Sequence, residues 1–305
     1  EKRSVIPAII KSEFAEIEII GSRSTEKAKE FAKEFNCEKF GTYEDVISDD
    51  SVDAVYISTP ISTHREWSIK ASEAGKHVYV EKSSAANLSS AREMVESAKE
   101  NNVRLMEGFM FRFHPQHQKV KELIKEGKIG EVKSFNGIFG FPAFPEGDIR
   151  YDMQISGLFG GGGFLLDSGC YPICASRMIF NEEPISAVAK NFFEKRKFSN
   201  GEVGKVDVSG SASLFYENGK TATITYSNGS YYQAKYEVWG TDGVISLDRA
   251  YSVPPDFTTK VTLQYNTENN WEGRRTETFE IEPKDHFLEM LDAFCMEIRG
   301  TKKAP

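Results

Sequence analysis

The feature that most limits the fold of this chain is a regular alternation, over its first third, of short apolar runs with amphipathic helical stretches. "AEIEIIGSRS" reads as a strand ending at Ser22, and "TEKAKEFAKEF" as a charged helix. "TYEDVISDDSVDAVYISTP" gives a short helix and a buried strand, and "THREWSIKASEAGK" gives a helix closed by Gly75. "HVYVEKSSAANLSSAREMVESAKE" repeats the pattern, and "NNVRLMEGFMFRF" adds a further strand. Strands rich in Val, Ile and Tyr that alternate with helices of 3.6-residue period argue for a parallel, doubly wound sheet. Ligands of such sheets sit at the carboxyl ends of the strands. Here those ends read Ser22-Arg23-Ser24, Ser58-Thr59-Pro60, Glu81-Lys82 and Glu107-Gly108. Four polar strand ends in succession point to one crevice.

After about residue 130 the pattern changes. "GEVKSFNGIFGF", "ISAVAKNFFEKR", "KVDVSGSASLFYE", "KTATITYSN", "AKYEVWGT", "GVISLDR", "KVTLQYN" and "RTETFEIEP" are short alternating runs between turns such as "ENGK" and "TDG". They read as a mainly antiparallel sheet. "GGGFLLDSGCYPICASRMIF" is the strong helical pattern within this region, and "DHFLEMLDAFCMEIRG" is a closing helix. The fold class that follows is a Rossmann-type α/β domain with a doubly wound parallel sheet, then an α+β domain with a large, mainly antiparallel open sheet of about six strands. A length of 305 residues suits two domains, given typical domains of ~100–150 residues. We divide them as 1–110, dinucleotide binding, and 111–305, substrate binding and oligomerisation.

Composition narrows the function classes. A net charge of −8 leaves no basic footprint for nucleic acid. No window approaches the ~18 apolar residues of a membrane span. The four cysteines, Cys37, Cys170, Cys174 and Cys295, are scattered, which suits a reducing, cytoplasmic setting rather than a disulfide framework. No metal-ligand spacing is visible.

Four motifs carry a resemblance. Thr59-Pro60 with His64, "VYVEKS" ending at Ser83, "GFMFRFHPQ" at 108–116 and "GGGFLLDSGCY" at 161–171 stand in the order and spacing of the Gfo/Idh/MocA oxidoreductases. The chain resembles most the branch with glucose-fructose oxidoreductase, dihydrodiol and xylose dehydrogenases and deoxysugar ketoreductases, over essentially its whole length. "EKRSVIPAII" resembles the helix that follows the family's first strand and Gly-rich turn, and "RGTKKAP" the loop before its final helix. Both ends are therefore expected to extend beyond the present sequence, with the pyrophosphate-binding residues outside it. The family's E-K-P reads Glu81-Lys82-Ser83 here, and a proline would only stiffen that turn.

Candidate site residues follow from position and resemblance together. Lysine at a strand end is commonly just solvated, but the crevice and the motif favour Lys82 as a catalytic group that steadies a substrate oxygen. Glu81 is expected to orient Lys82 or to hold the cofactor. Tyr171 reads either as an ordinary buried aromatic or as the general acid/base. Its spacing from Asp167, i to i+4 on a helix introduced by four glycines, puts both on one face. The resembling branch places tyrosine there, with Asp167 a partner for lysine or a substrate hydroxyl. Ser22, Arg23 and Ser24 stand where NAD-preferring sheets carry an acid, so NADP is favoured, with NAD the alternative. Ser58, Thr59, Pro60 and His64 are expected beside the cofactor. Arg112 and His114 are expected to reach the crevice from the fifth strand, and Asp148, Arg150 and Tyr151 to border the substrate.

The reading that results is an NADP-dependent oxidoreductase moving a hydride to or from a carbinol or carbonyl carbon of a sugar or sugar derivative. A non-enzymatic, nucleotide-sensing regulator of the same fold is the alternative, and an oxidoreductase that retains cofactor and couples two sugars is a third. The hydroxyl-rich and aromatic second face of the open sheet predicts a homodimer or a higher homo-oligomer.

Overall fold

The computed structural model describes residues 4–148, 150–151, 163–267 and 273–301. Two compact units emerge from its contacts. One runs to Phe109 and takes up the chain again from Phe287; the other comprises the described residues between Met110 and His286.

The first unit is built of parallel strands and helices in strict alternation. β1 (Ile19–Gly21) pairs with β2 (Lys39–Gly41), and β3 (Ala54–Ile57), β4 (His77–Val80) and β5 (Leu105–Glu107) pair in that order. α1 (Val5–Lys11) precedes β1, and α2 (Thr25–Glu34), α3 (Tyr43–Ser48), α4 (Ile61–Glu73) and α5 (Leu88–Glu100) connect successive strands. The sequence tells these helices where to begin. Ser24 accepts the Lys27 amide at 3.3 Å, Asn87 accepts that of Ser90 at 2.9 Å, and Thr42 with Asp45 forms a reciprocal capping box. β4 is buried throughout Val78–Val80, its side chains packing on Ile57, Ala71 and Met94. Each buried valine contributes ~1.5–3 kcal/mol and so fixes the register. In that register Ile57, Val80 and Glu107 lie level. The residues that follow each strand therefore share one edge. The expected single sheet comes in two parts among the described residues, because no strand pairs with the second edge of β1 or of β3. A cleft of about 1320 Å³ lies between them, lined by residues 17–21 and 53–57.

The second unit contains α6 (Pro115–Lys125), α7 (Cys170–Phe180) and an open eight-stranded sheet, two strands more than expected. Its strands are β6 (Val132–Phe141), β7 (Ser186–Lys197), β8 (Val203–Phe215), β9 (Thr221–Asn228), β10 (Gln233–Gly240), β11 (Gly243–Leu247), β12 (Thr259–Asn266) and β13 (Arg274–Ile281). The spatial order is β13-β12-β11-β10-β6-β9-β8-β7, antiparallel everywhere except between β6 and β9. Burial alternates along β9 and β10, so one face is core and carries α7 across β6 and β9. The edge strand β7 is exposed along almost its whole length. α8 (His286–Ile298) returns from Phe287 on to the first unit, where Met290 and Phe294 pack on Tyr79 of that same unit. Among the described residues no helix is long and apolar enough to cross a membrane.

Two further sequence expectations change. The helical stretch read through "GGGFLLDSGCYPICASRMIF" is not one α-helix: Leu165–Gly169 forms a π-helical turn, and α7 starts only at Cys170. Pro172 explains it, since its ring would clash with the carbonyl of Ser168 four residues back and it has no N–H to give. Of the four introducing glycines, those at 160–162 lie outside the described residues. Arg112 and His114 do not lie on the fifth strand. β5 stops at Glu107, and the chain turns into a 3₁₀ turn (Met110–Phe113) that delivers His114 as the N-cap of α6.

Candidate active site

In the first unit the strand ends form a tethered edge. At β1 the Ser22 amide donates to the Gly41 carbonyl at 3.0 Å, and the Ser22 hydroxyl oxygen accepts from the Ser24 amide at 3.3 Å. Ser24 spends its side chain on the cap of α2 and on Glu26, at 2.9 Å. Ser22 and Arg23 line a cleft of about 410 Å³ together with Thr59 and Pro60 from the end of β3. Of the carboxylates on its wall, Glu66 is paired with Lys70 at 2.6 Å, and Glu44 sits in the first turn of α3. Ser22 and Arg23 thus bring a hydroxyl and a guanidinium to this strand end, in a cleft whose wall also carries the carboxylates of Glu44 and Glu66.

Lys82 sits on a loop held from three sides. Glu81 accepts the Tyr56 hydroxyl at 2.7 Å and the Lys82 amide at 3.2 Å. Burial raises the Glu81 carboxyl above its ordinary range, against the opposing pull of the Tyr56 hydrogen bond and the Lys82 charge. Glu107, at the end of β5, accepts the Ser84 amide at 2.7 Å. His64, fully buried on α4, lies 2.7 Å from the Thr59 carbonyl and 3.1 Å from that of Ser83. Burial lowers its pKa, chiefly over the opposing carbonyls. His64 thus ties the loop after β3, which carries Ser58, Thr59 and Pro60, to the loop after β4. Sequence reading missed Tyr56, which looked like any apolar strand residue, and the tether from Glu107.

In the second unit Asp148, Arg150 and Asp167 come together. The Arg150 guanidinium donates to both Asp148 oxygens at 3.1 and 3.0 Å, stands 3.8 Å over the Phe144 ring and lies 3.9 Å from Asp167. Tyr151 does not border this group through its hydroxyl: it is fully buried, donating to the Phe144 carbonyl at 2.9 Å and accepting from Asn228 at 3.1 Å. Tyr171 is 5% exposed, ringed by Phe111, Phe139 and Tyr251 with centroids 5.0–5.8 Å away. Its hydroxyl donates to the Met110 sulfur at 3.7 Å, a weak acceptor. Arg112 stands near Lys121, whose pKa is lowered by burial first and the Arg112 charge second. His114 is buried, accepts the Gln116 amide at 3.3 Å and has its pKa lowered to about 4 by burial, so it serves as a neutral cap.

Comparison with known proteins places the chain by sequence and by fold. Residues 2–109 match the oxidoreductase family domain with an NAD-binding Rossmann fold, and residues 117–246 match the Gfo/Idh/MocA C-terminal domain. The chain is 32% identical to dTDP-3,4-didehydro-2,6-dideoxy-alpha-D-glucose 3-reductase of Saccharopolyspora spinosa, over 98% of this chain and 84% of that protein. It is 34% identical to a D-xylose 1-dehydrogenase (NADP(+)) of Haloferax volcanii, over 97% and 85%. Among solved structures, a 3-ketoreductase from Actinomadura kijaniata in complex with NADP and TDP-benzene superposes with a TM-score of 0.85 at 32% identity, covering 99% of this chain and 87% of that one. That enzyme has also been solved with a tyrosine changed to phenylalanine and with a lysine changed to alanine. The matched domains, the strand-end edge and the relatives together show that this chain belongs to the Gfo/Idh/MocA family of oxidoreductases.

Proposed function

We propose that the protein is an NADP-dependent oxidoreductase acting on a carbinol or carbonyl carbon of a sugar or nucleotide-linked sugar. The observation that carries this reading is the loop that bears Lys82, whose backbone is tied at the end of β4 by Glu81, His64 and Glu107. In this reading residues 1–110 bind the cofactor, and residues 111–305 bind the sugar and a second copy of the chain. When bound, NADP supplies or takes up the hydride. Ser22 and Arg23 hold the 2′-phosphate, and Thr59, Pro60 and the His64-tied loop border the rest of the dinucleotide. Lys82 donates a hydrogen bond to the reacting oxygen and stabilises the negative charge that grows there. Tyr171 gives that oxygen a proton in reduction and takes it back in oxidation. Asp167, with Asp148 and Arg150, binds substrate hydroxyls. Four free thiols suit a reducing, cytoplasmic setting.

A panel of aldoses, ketoses and nucleotide-linked keto-deoxysugars, assayed with NADP and NAD at the nicotinamide absorbance band, tests the reading. Turnover with NADP is expected on at least one sugar class. Cofactor binding with no turnover anywhere on the panel would instead favour a nucleotide sensor.

Assembly is part of the proposal. β7 leaves Val188 69%, Phe192 61% and Phe193 56% exposed on an edge strand. A second copy seated here buries apolar surface that a lone chain leaves in water, which supports a homodimer. Phe192→Lys is expected to shift the mass in light scattering from dimer to monomer; a wild-type monomer at micromolar concentration would refute the pairing.

A further inference from the structure

The sequence of β8 hides an acid in a strand core. Val206, Asp207 and Val208 are buried in succession, which a regular strand with alternating faces does not allow. The pairing explains it. Phe192 lies opposite Ser209 and Phe193 opposite Asp207, so Val208 is the extra residue of a bulge. A bulge re-aims a side chain, and here it turns Asp207 into the core under the turn Leu165–Gly169. One Asp207 oxygen accepts two hydrogen bonds, from the Leu165 amide at 2.8 Å and from the Tyr226 hydroxyl at 2.9 Å.

The grip extends along the whole turn. Gly163, with φ +96°, is packed so closely that a Cβ there would lie 1.4 Å from the second Asp207 oxygen. At the other end a Cβ on Gly169 would lie 3.0 Å from the Tyr226 ring. Asp207 therefore fixes the start of the turn, and Tyr226 spans from that acid to its end. Between these points sits Asp167, and two residues beyond sits Tyr171. An anionic acceptor at the start of a helical turn is favoured by the unpaired amides there. Burial raises the Asp207 carboxyl above its ordinary range while these hydrogen bonds oppose the rise. Burial, with the Asp207 charge second, holds the Tyr226 phenol well above its ordinary range, so it stays a donor.

We propose that Asp207, with Tyr226, is a positioning residue that sets the placement of Asp167 and Tyr171 by gripping both ends of the π-helical turn. The catalytic meaning of that placement rests on the function proposed above; the grip itself does not.

The test pairs kinetics with hydrogen exchange on the full chain. Asp207→Leu is expected to lower kcat about tenfold or more while KM for NADP stays within about twofold, the split of a lost transition-state arrangement. It should also speed amide exchange across 165–170 by about tenfold or more, with β9 unchanged. Asp207→Asn keeps an oxygen acceptor and should restore at least about half of wild-type kcat. Tyr226→Phe removes a single oxygen and should lower kcat by roughly threefold to tenfold with the same exchange signature; it decides the matter if Asp207→Leu does not fold. Folded variants with kcat within about twofold of wild type and unchanged exchange at 165–170 would overturn the proposal. Equal losses in kcat and NADP affinity would do so as well. If wild-type protein turns over no sugar, the proposed function fails while the exchange arm still decides the grip.

Discussion

The two units hold their proposed reactive groups by opposite means. In the first, Lys82 stands on a loop at a strand end, and its tethers come from the neighbouring strand ends of the same sheet: Glu81 beside it, Glu107 across β5, Tyr56 on β3 and His64 on α4. In the second, Asp167 and Tyr171 stand on a helical turn whose anchors come from strands β8 and β9, further along the chain. A parallel sheet brings successive strand ends level, so local motifs suffice to build an edge. An antiparallel sheet under a helix needs a long-range contact to aim a side chain. The first arrangement repeats small polar contacts, each removable alone; the second concentrates on one buried acid.

The largest effects are expected where either unit loses its reacting group. Tyr171→Phe removes only the exchangeable proton and should lower turnover by ~10²-fold or more, with cofactor affinity nearly intact. Lys82→Ala should be at least as damaging. Steady-state kinetics on an active sugar reads both, and wild-type turnover in Tyr171→Phe would move the proton donor elsewhere.

Next comes the cofactor cleft. Arg23→Ala should weaken NADP selectively by ~1–3 kcal/mol, the scale of one charge-assisted contact. Binding titrations with both dinucleotides check it. Equal losses for NAD and NADP would remove Arg23 from the 2′-phosphate and leave the cleft without its main cation.

The same contrast decides what the sequence makes legible. The alternation over the first third, the four polar strand ends and the motif around Lys82 are local patterns, and the structure carries the strands and helices read from them, with the strand Lys39–Gly41 added and the fifth strand ending early at Glu107. The eight β-runs of the second unit are equally local. What stayed hidden was contact at a distance. Asp207 lies in an apolar strand run that looks regular, and only the bulge against β7 turns it inward. Tyr56 looks like a packing residue until its hydroxyl meets Glu81. The π-helical turn depends on one proline acting backwards on a carbonyl. α6 begins with Pro115 at its first turn, a local signal in plain view, yet the run "FRFHPQHQ" reads equally well as the tail of a strand.

Acid sensitivity sharpens the comparison further. His114, His117 and His286 are all buried in the second unit, with pKa values lowered to about 4, about 3 and about 4. The unfolded chain takes up protons near the ordinary value of 6.5 while the folded one does not, so stability is full above that value and is lost as pH falls toward about 4. Asp207 and Glu81, both raised, act with the opposite sign and blunt the loss. His114→Asn keeps a capping side chain on α6 and removes one titrating ring. Its unfolding free energy should fall less steeply between pH 6.5 and about 4, by on the order of 1–3 kcal/mol, in denaturant melts across that range. A slope identical to wild type would mean that His114 is not held neutral in the fold.

The smallest effect should come from the tether that is one of several. Tyr56→Phe deletes the hydroxyl that Glu81 accepts at 2.7 Å and leaves the ring tilted against that of Tyr79, with centroids 4.8 Å apart. Glu81 keeps the Lys82 amide, so the loop should not unfold, and the cost should be about 0.5–1.5 kcal/mol in kcat/KM, roughly twofold to tenfold. The direction with pH is the sharper signature. The lost hydrogen bond lowered the Glu81 pKa, so without it a carboxyl already raised by burial moves up again. The protonated form then persists to higher pH, and the acid limb of the pH–rate profile should shift upward in Tyr56→Phe. Wild-type and variant profiles that run parallel at all pH values would show that Glu81 does not govern Lys82, leaving His64 and Glu107 as the tethers that do.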